Sequence, residues 1–106
     1  MKGSNLGEFQ EIVMLAILIL EENAYGVTIQ DEIHHRMGRK ISRGALHTAL
    51  MRLEEKGFIL SEYGPPTAER GGRRTRFYQV SNKGLNTLKE AKELRMNMWK
   101  MIPKLA

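Results

Sequence analysis

The segment from Ser42 to Val80 reads SRGALHTALMRLEEKGFILSEYGPPTAERGGRRTRFYQV. Its first part predicts an amphipathic helix, because Ser42 is a suitable N-cap, Gly57 is a suitable stop, and apolar residues recur at three- and four-residue spacing: Leu46, Ala49, Leu50 and Leu53. After Gly57 the pattern changes to two short runs rich in aromatic and β-branched residues, FILSEY and TRFYQV, on either side of a loop with proline and glycine. The segment therefore predicts a helix followed by a β-hairpin with a long basic tip.

The polar side of this helix and the hairpin tip carry residues suited to nucleic acid. Opposite its apolar stripe, the helix presents Arg43, Gly44, His47, Thr48 and Arg52. Arg43 lies in the first turn, where a helix N-terminus favours phosphate and where recognition helices meet bases. The tip holds Arg70, Arg73 and Arg74 beside two glycines, a composition that can follow a phosphate backbone or enter a narrow minor groove. The arrangement is typical of a winged helix-turn-helix module.

The preceding residues supply the other half of the helix-turn-helix. A helix from about Tyr25 to Met37 places apolar residues on one stripe and stops at Gly38. The connection that follows, GRKI at residues 38–41, is short and basic and includes Lys40. His34 and His35 are adjacent and point about 100° apart on a helix, so they cannot easily share a metal ion. We therefore predict no metal site.

Charge is distributed unevenly along the chain, whose net charge is +5. Residues 1–35 hold one basic and six acidic side chains, residues 36–83 hold eleven and four, and residues 84–106 hold five and two. The net charges of these three parts are −5, +7 and +3. The positive charge thus coincides with the predicted helix and hairpin, as expected of a polyanion binder. The alternative is a solvated surface rich in lysine and arginine.

Length and composition exclude several classes of protein. A chain of 106 residues forms one domain with a small core. It contains no cysteine, which removes disulfides and thiol catalysis and agrees with a reducing cytoplasm. The longest apolar run, nine residues from Ile12 to Leu20, is about half of what a membrane span needs. Nucleophile–base pairs, metal-spaced clusters and nucleotide-binding loops are lacking, so we expect neither enzymatic activity nor a cofactor.

The two ends of the chain predict helices with apolar surface to spare. In a helix from about Glu8, one face is traced by residues that include Phe9, Val13 and Ile17, yet its middle is apolar on every side. Such a helix is either covered by a partner chain or fully enclosed in the protomer. A last helix, capped by Ser81 and running from Asn82 to about Ile102, carries a short heptad seam: Ala91, Leu94, Met98, Met101 and Leu105. Pro103 then ends or kinks it.

The C-terminal helix also carries the lone tryptophan, Trp99, next to Met98. Tryptophan and methionine together form an adaptable apolar surface suited to flat hydrophobic ligands. Burial in a dimer core is the simpler interpretation of the same cluster. We therefore expect residues 1–81 to form a winged helix DNA-binding unit and residues 82–106 a dimerisation helix, within one compact domain that is mainly α-helical with a small β-hairpin.

The chain resembles the PadR-like transcriptional regulators from about Leu6 to Leu88. The resemblance is carried by LGEFQEIVMLAIL, AYGVTI, GRKISRGALHTALMRLEEKGFI and GPPTAERGGRRTRFYQVSNKG. It implies a prokaryotic winged helix homodimer that binds pseudo-palindromic double-stranded DNA, usually as a repressor. It also implies dimerisation through the C-terminal helix packed against the first helix, and in some members release of DNA on binding small aromatic molecules.

Position by position, the resemblance adds Tyr25 and the wing residue Arg76 to the candidate DNA-binding set, which then comprises Tyr25, Lys40, Ser42, Arg43, Gly44, His47, Thr48, Arg52, Arg70, Arg73, Arg74 and Arg76. The implied dimer interface comprises Phe9, Val13, Ile17, Leu94, Met98, Trp99, Met101 and Ile102, with Trp99 and Met98 as candidate effector contacts. One position departs from the family, which usually has tyrosine where this chain has His47. A winged helix used as a protein or ligand interaction module without sequence-specific DNA binding is the alternative function.

Overall fold

A computed structural model describes residues 6–65 and 74–104. Within them the chain forms four α-helices and one antiparallel hairpin: α1 Glu8–Leu20, α2 Gly26–Met37, α3 Arg43–Glu55, β1 Ile59–Tyr63, β2 Arg76–Val80 and α4 Asn82–Lys100. A short 3₁₀ turn, Glu21–Asn23, joins α1 to the approach to α2. The predicted fold class, mainly α with a small β-hairpin in winged helix order, is confirmed.

The ends of the helices follow the capping signals of the sequence. The Ser42 hydroxyl accepts a hydrogen bond from the Ala45 amide at 3.0 Å, and the Ser81 hydroxyl accepts one from the Gly84 amide at the same distance. Gly38, with φ of 70°, ends α2, and Gly57, with φ of 78°, lies just beyond α3. Positive φ is a conformation that glycine adopts at little cost, so both stops are encoded locally.

The core lies where α1, α2 and α3 meet the base of the hairpin. Its largest fully buried side chains are Met14, Ile17, Ile29, Ile33, Leu53, Ile59 and Val13. Val13 and Ile17 therefore face the protomer's own interior, which corrects their predicted place at the dimer interface. A helix that is apolar all round does not specify which side faces inward, and here the large apolar residues left exposed on α1 are Leu15, Leu18 and Ile19.

The hairpin is tied to the segment ahead of α2. In the hairpin itself, Ile59 pairs with Val80 at one end and Tyr63 with Arg76 at the other. On the free side of β2, the Tyr78 amide donates to the Ala24 carbonyl at 2.9 Å, and Tyr25 forms an isolated antiparallel bridge with Phe77. This bridge covers part of the edge of β2 and fixes the hairpin against the helix-turn-helix.

Helix α4 begins against the hairpin and then leaves the body of the protein. Its N-terminal turn passes so close to β1 that a Cβ on Gly84 would lie 2.1 Å from the Phe58 carbonyl oxygen. An ion pair between Arg95 and Glu11 joins α4 to α1. Every residue from 92 to 100 is exposed, and the molecule measures 58 Å along its longest axis against 28 and 22 Å across. The far half of α4 is therefore a projecting arm.

Candidate nucleic-acid interface

A cleft of about 570 Å³ separates the start of α2 and the face of α3 from the returning strand of the hairpin. Six of the residues that the sequence predicted to bind DNA line it: Tyr25, Arg43, Gly44, His47, Arg74 and Arg76. These residues come from three separate stretches of the chain. The fold thus brings together much of the predicted site, in the angle between the second helix of the helix-turn-helix and the wing.

The outward side of α3 is open along its length. Leu46, Ala49, Leu50 and Leu53 are buried, whereas Arg43, Gly44, His47, Thr48, Met51 and Arg52 are exposed. At Gly44, an added Cβ would meet only the Ser42 hydroxyl oxygen, 4.0 Å away. No part of the described protein therefore requires glycine there by close approach, and the missing side chain leaves space for a ligand to come near the backbone of α3.

The turn between α2 and α3 is held by a residue that the sequence did not single out. The side-chain amide of Gln30 donates to the Ile41 carbonyl oxygen at 2.8 Å. With the Ser42 cap, this bond fixes the path of the chain into α3, and it leaves Lys40 exposed. A polar residue in the second turn of α2 is a weak signal, because its partner is a backbone carbonyl that sequence pattern does not identify.

Tyr25 is held in place by both the helix-turn-helix and the wing. Its amide donates to the Thr28 hydroxyl at 2.9 Å, which is half of a capping box at the start of α2. Its ring packs edge-on against Phe77, with 5.5 Å between ring centres and an angle of 73° between planes. The Tyr25 side chain is half-buried at the mouth of the cleft and is positioned by the wing.

Arg76 makes two side-chain hydrogen bonds within the protomer. Its Nη2 lies 3.0 Å from Oε1 of Glu54, and its Nε donates to the Ser61 hydroxyl at 2.9 Å. Burial raises the pKa of the neighbouring Tyr78 phenol above its ordinary value, and Arg76 opposes part of that shift. Tyr78 is therefore a neutral phenol at physiological pH, and the positive charge beside it is that of the Arg76 guanidinium.

Of the remaining wing arginines, only Arg74 lies within the described residues. Arg74 is exposed and lines the cleft. Arg70 and Arg73 lie outside the described residues, so their predicted roles stay predictions. Pro65 and Arg74, the described residues on either side of the tip, are both exposed.

Helices α1 and α4 also expose large apolar side chains. We call this set the apolar arm surface: Leu15, Leu18 and Ile19 on α1, and Leu94, Met96, Met98, Trp99 and Met101 on or just after α4. Trp99 is 61 % exposed, so within the protomer it lines no closed core. Of the other predicted interface residues, Phe9 and Ile102 are partly exposed.

Residues 6–65 and 74–104 lack both a metal-binding cluster and a membrane-spanning helix. No group of three or more His, Cys, Asp or Glu side chains there is arranged to hold a metal ion. None of the helices in the same ranges has both the length and the apolarity to cross a membrane.

The element order, the hairpin and the cleft beside α3 are those of a winged helix-turn-helix protein, and the comparisons identify its family. A sequence model described as "Transcriptional regulator PadR-like family" matches residues 14–90. Because this is well over half of the chain, the protein belongs to the PadR-like family of transcriptional regulators. Among proteins with curated functions, none matches this chain.

Solved structures agree with that assignment. A transcriptional regulator from Clostridium thermocellum is 27 % identical, with 92 % of this chain and 90 % of that chain covered and a TM-score of 0.69. A PadR family transcription regulator from Clostridium difficile R20291 is 25 % identical, with coverages of 89 % and 94 % and a TM-score of 0.68. A PadR-like transcription factor from Bacteroides fragilis, 20 % identical with coverages of 92 % and 89 % and a TM-score of 0.73, is similar in fold.

Proposed function

We propose that this protein is a sequence-specific DNA-binding regulator that represses transcription in a prokaryotic cytoplasm, acting as a homodimer on a pseudo-palindromic operator. The observation that carries the proposal is the cleft between α3 and the hairpin, which collects Arg43, His47 and Arg74 around an open helix face. A recognition helix needs side chains free to reach base edges, together with cations near the phosphates that flank them. This part of the surface offers both.

The roles of the residues in and beside the cleft follow from their positions along the chain. Arg43, His47 and Thr48 project from the N-terminal half of α3, where recognition helices read bases in the major groove. Lys40, Arg52 and Arg74 lie around them, exposed, and suit phosphates. The tip arginines, Arg70 and Arg73, extend the same role to the adjacent groove. In this proposal the buried half of α3 serves only to hold the reading half rigid.

The proposed dimer rests on the apolar arm surface. A small protomer gains little from exposing several large apolar side chains on a projecting helix, and such patches mark interaction sites. A second copy, related by two-fold symmetry, covers α4 and the exposed side of α1 and presents two copies of α3 to the same side of a duplex. Leu94, Met98, Trp99 and Met101 are the proposed contacts on α4. We further propose that a small aromatic effector contacts Trp99 and Met98.

The test is selection of bound duplexes from a randomised library, followed by fluorescence anisotropy on the enriched sequence at several salt concentrations. We expect a two-fold symmetric site whose half-sites lie about 10 base pairs apart or a multiple of this. We also expect a log–log salt slope on the order of −5 to −7, for three or four phosphates neutralised per protomer. Binding without sequence preference would contradict the proposal, and no binding at low salt would favour an interaction module.

A further inference from the structure

Arg76 closes a ring of side chains from three different elements. Its guanidinium reaches Glu54 in the last turn of α3 and the Ser61 hydroxyl on β1. The ring is completed by Ser61, whose hydroxyl donates to Oε2 of Glu54 at 2.7 Å. Glu54 therefore receives one hydrogen bond on each carboxylate oxygen, and Ser61 both donates and accepts. Such mutually satisfied networks restrict motion more than isolated surface ion pairs do.

Two aromatic rings flank the same guanidinium. Its central carbon lies 5.6 Å from the centre of the Tyr63 ring on β1 and 5.8 Å from the centre of the Tyr78 ring on β2. At these distances both rings attract a cation. The guanidinium of arginine suits this arrangement, since separate nitrogens donate to Glu54 and Ser61 while its delocalised charge lies near the rings; a lysine ammonium has one nitrogen and cannot reproduce this pair of contacts.

The network joins the far end of the recognition helix to the root of the wing. Arg43 and His47 lie in the first half of α3, and Glu54 lies at its other end. Arg74, two residues before Arg76, is where the described part of the wing leaves toward its tip. A rotation of the hairpin about its root would therefore change the distance from Arg74 to the reading face of α3.

We propose that Arg76 is a positioning residue: through Glu54 and Ser61 it sets the angle of the wing against α3, and it does not itself bind phosphate. Its effect on DNA rests on the function proposed above, whereas its effect on the wing does not. The inference gives Arg76 a different role from that of its neighbours in the basic tip, although all belong to one arginine-rich run of the sequence.

The direction in which DNA affinity changes on removing Glu54 distinguishes a positioning role of Arg76 from a phosphate contact. If Arg76 bound phosphate, Glu54 would compete for it, and Glu54→Ala would tighten DNA binding. If Arg76 positions the wing, Glu54→Ala weakens binding, although it removes a negative charge. We expect a loss of roughly three- to tenfold, measured by anisotropy on the selected duplex.

Arg76→Lys provides a second, independent variant. It keeps the positive charge, so a phosphate contact would survive with little loss, whereas the ring with Glu54 and Ser61 would not. We expect it to weaken binding by the same roughly three- to tenfold. The matched control is Glu32→Ala, which removes a carboxylate paired with Arg36 within α2, away from the hairpin. We expect this control not to weaken binding.

A distance measurement tests the wing without DNA. The chain has no cysteine, so Ala45→Cys on α3 and Glu62→Cys on β1, both at exposed positions, accept a pair of spin labels. Labelled chains are mixed with an excess of unlabelled chains, and the distance distribution is measured by double electron–electron resonance. We expect a narrow distribution in the parent and in the Glu32→Ala background, and a broader or shifted one with Glu54→Ala or Arg76→Lys.

The outcomes are distinct. Broadened distances together with weaker DNA binding in both variants support the proposal. Unchanged distances, or tighter DNA binding by Glu54→Ala with parent-like binding by Arg76→Lys, would overturn it. If the parent binds no duplex, the function proposed above fails instead, and the distance distributions still decide whether Arg76 positions the wing.

Discussion

The cleft beside α3 and the apolar arm surface are built on the same small core, yet they expose different kinds of side chain. Around the cleft, the exposed side chains are mainly cationic or able to form hydrogen bonds, as at Arg43, Thr48 and Arg74. On the arm, several large apolar side chains are exposed beside charged ones, as at Met98 and Trp99. The two proposed partners, a polyanion and a second copy of the chain, require these two kinds of surface. We therefore expect substitutions on the arm and substitutions around the cleft to change different properties of the protein.

The largest effect is expected from placing a charge on the arm. Met98 is 63 % exposed in the protomer, so Met98→Glu leaves the core intact but buries a carboxylate in the proposed dimer. We expect monomers by analytical ultracentrifugation and a loss of operator affinity of about 100-fold, because two linked half-sites become one. Met51→Glu, on the exposed side of α3, is the control and should leave the oligomeric state unchanged while weakening DNA binding. A dimeric Met98→Glu protein would contradict the assignment of the arm.

The next effect concerns two glycines, one near each region. Gly84→Ala forces a Cβ against the Phe58 carbonyl at the root of the arm, and we expect the free energy of unfolding to fall by about 2 kcal/mol. Gly44→Ala meets open space on the cleft side, and we expect it to raise stability by about 0.5 kcal/mol but to weaken DNA binding. Urea denaturation and anisotropy measure the two quantities. Equal stability changes at both positions would argue against the tight packing of α4 on β1.

A smaller effect distinguishes a residue that contacts bases from one that contacts the phosphate backbone. We expect Arg43→Ala to reduce discrimination between the operator and a mismatched duplex by about 1–2 kcal/mol. Arg74→Ala should instead weaken binding to both duplexes alike and reduce the salt slope by about 1 per protomer. Competition anisotropy with both duplexes makes the comparison. If Arg43→Ala left discrimination intact, α3 would not be the reading helix.

The smallest effect is expected at His47, which is exposed on α3 and lines the cleft. His47→Ala removes a side chain able to form hydrogen bonds with a base edge or a phosphate, so operator affinity should fall by a few-fold, whereas His47→Gln keeps a donor and an acceptor and should lose less. Anisotropy on the selected duplex, with salt held constant, measures both affinities. Parent-like affinity of His47→Ala would show that His47 does not contact the DNA.

Local signals in the sequence predicted most of the fold. Ser42 and Ser81 cap helices where expected, and Gly38 and Gly57 stop them, because caps and positive-φ stops depend on neighbouring residues alone. The exposed face of α3 was likewise predicted from its period. Its proposed contacts with DNA remain predictions.

What the sequence did not predict depends on residues far apart in the chain. The partners of Arg76 include Glu54, 22 positions away, and Tyr25 bridges to Phe77 across the whole helix-turn-helix. The direction in which Val13 and Ile17 point could not be read either, since an all-apolar helix gives no periodic signal of its inner face. These features arise from tertiary packing, which short-range pattern does not encode.

The measurement that tests the account most directly is NMR mapping of backbone amide shifts on adding the selected duplex. We expect the changes to cluster on the first half of α3, on Tyr25 and Gly26 and on the hairpin from Arg74, and to be small on residues 92–100 of α4. Changes concentrated on the arm, with α3 unaffected, would contradict the central claim that the cleft beside α3 is the DNA-binding surface.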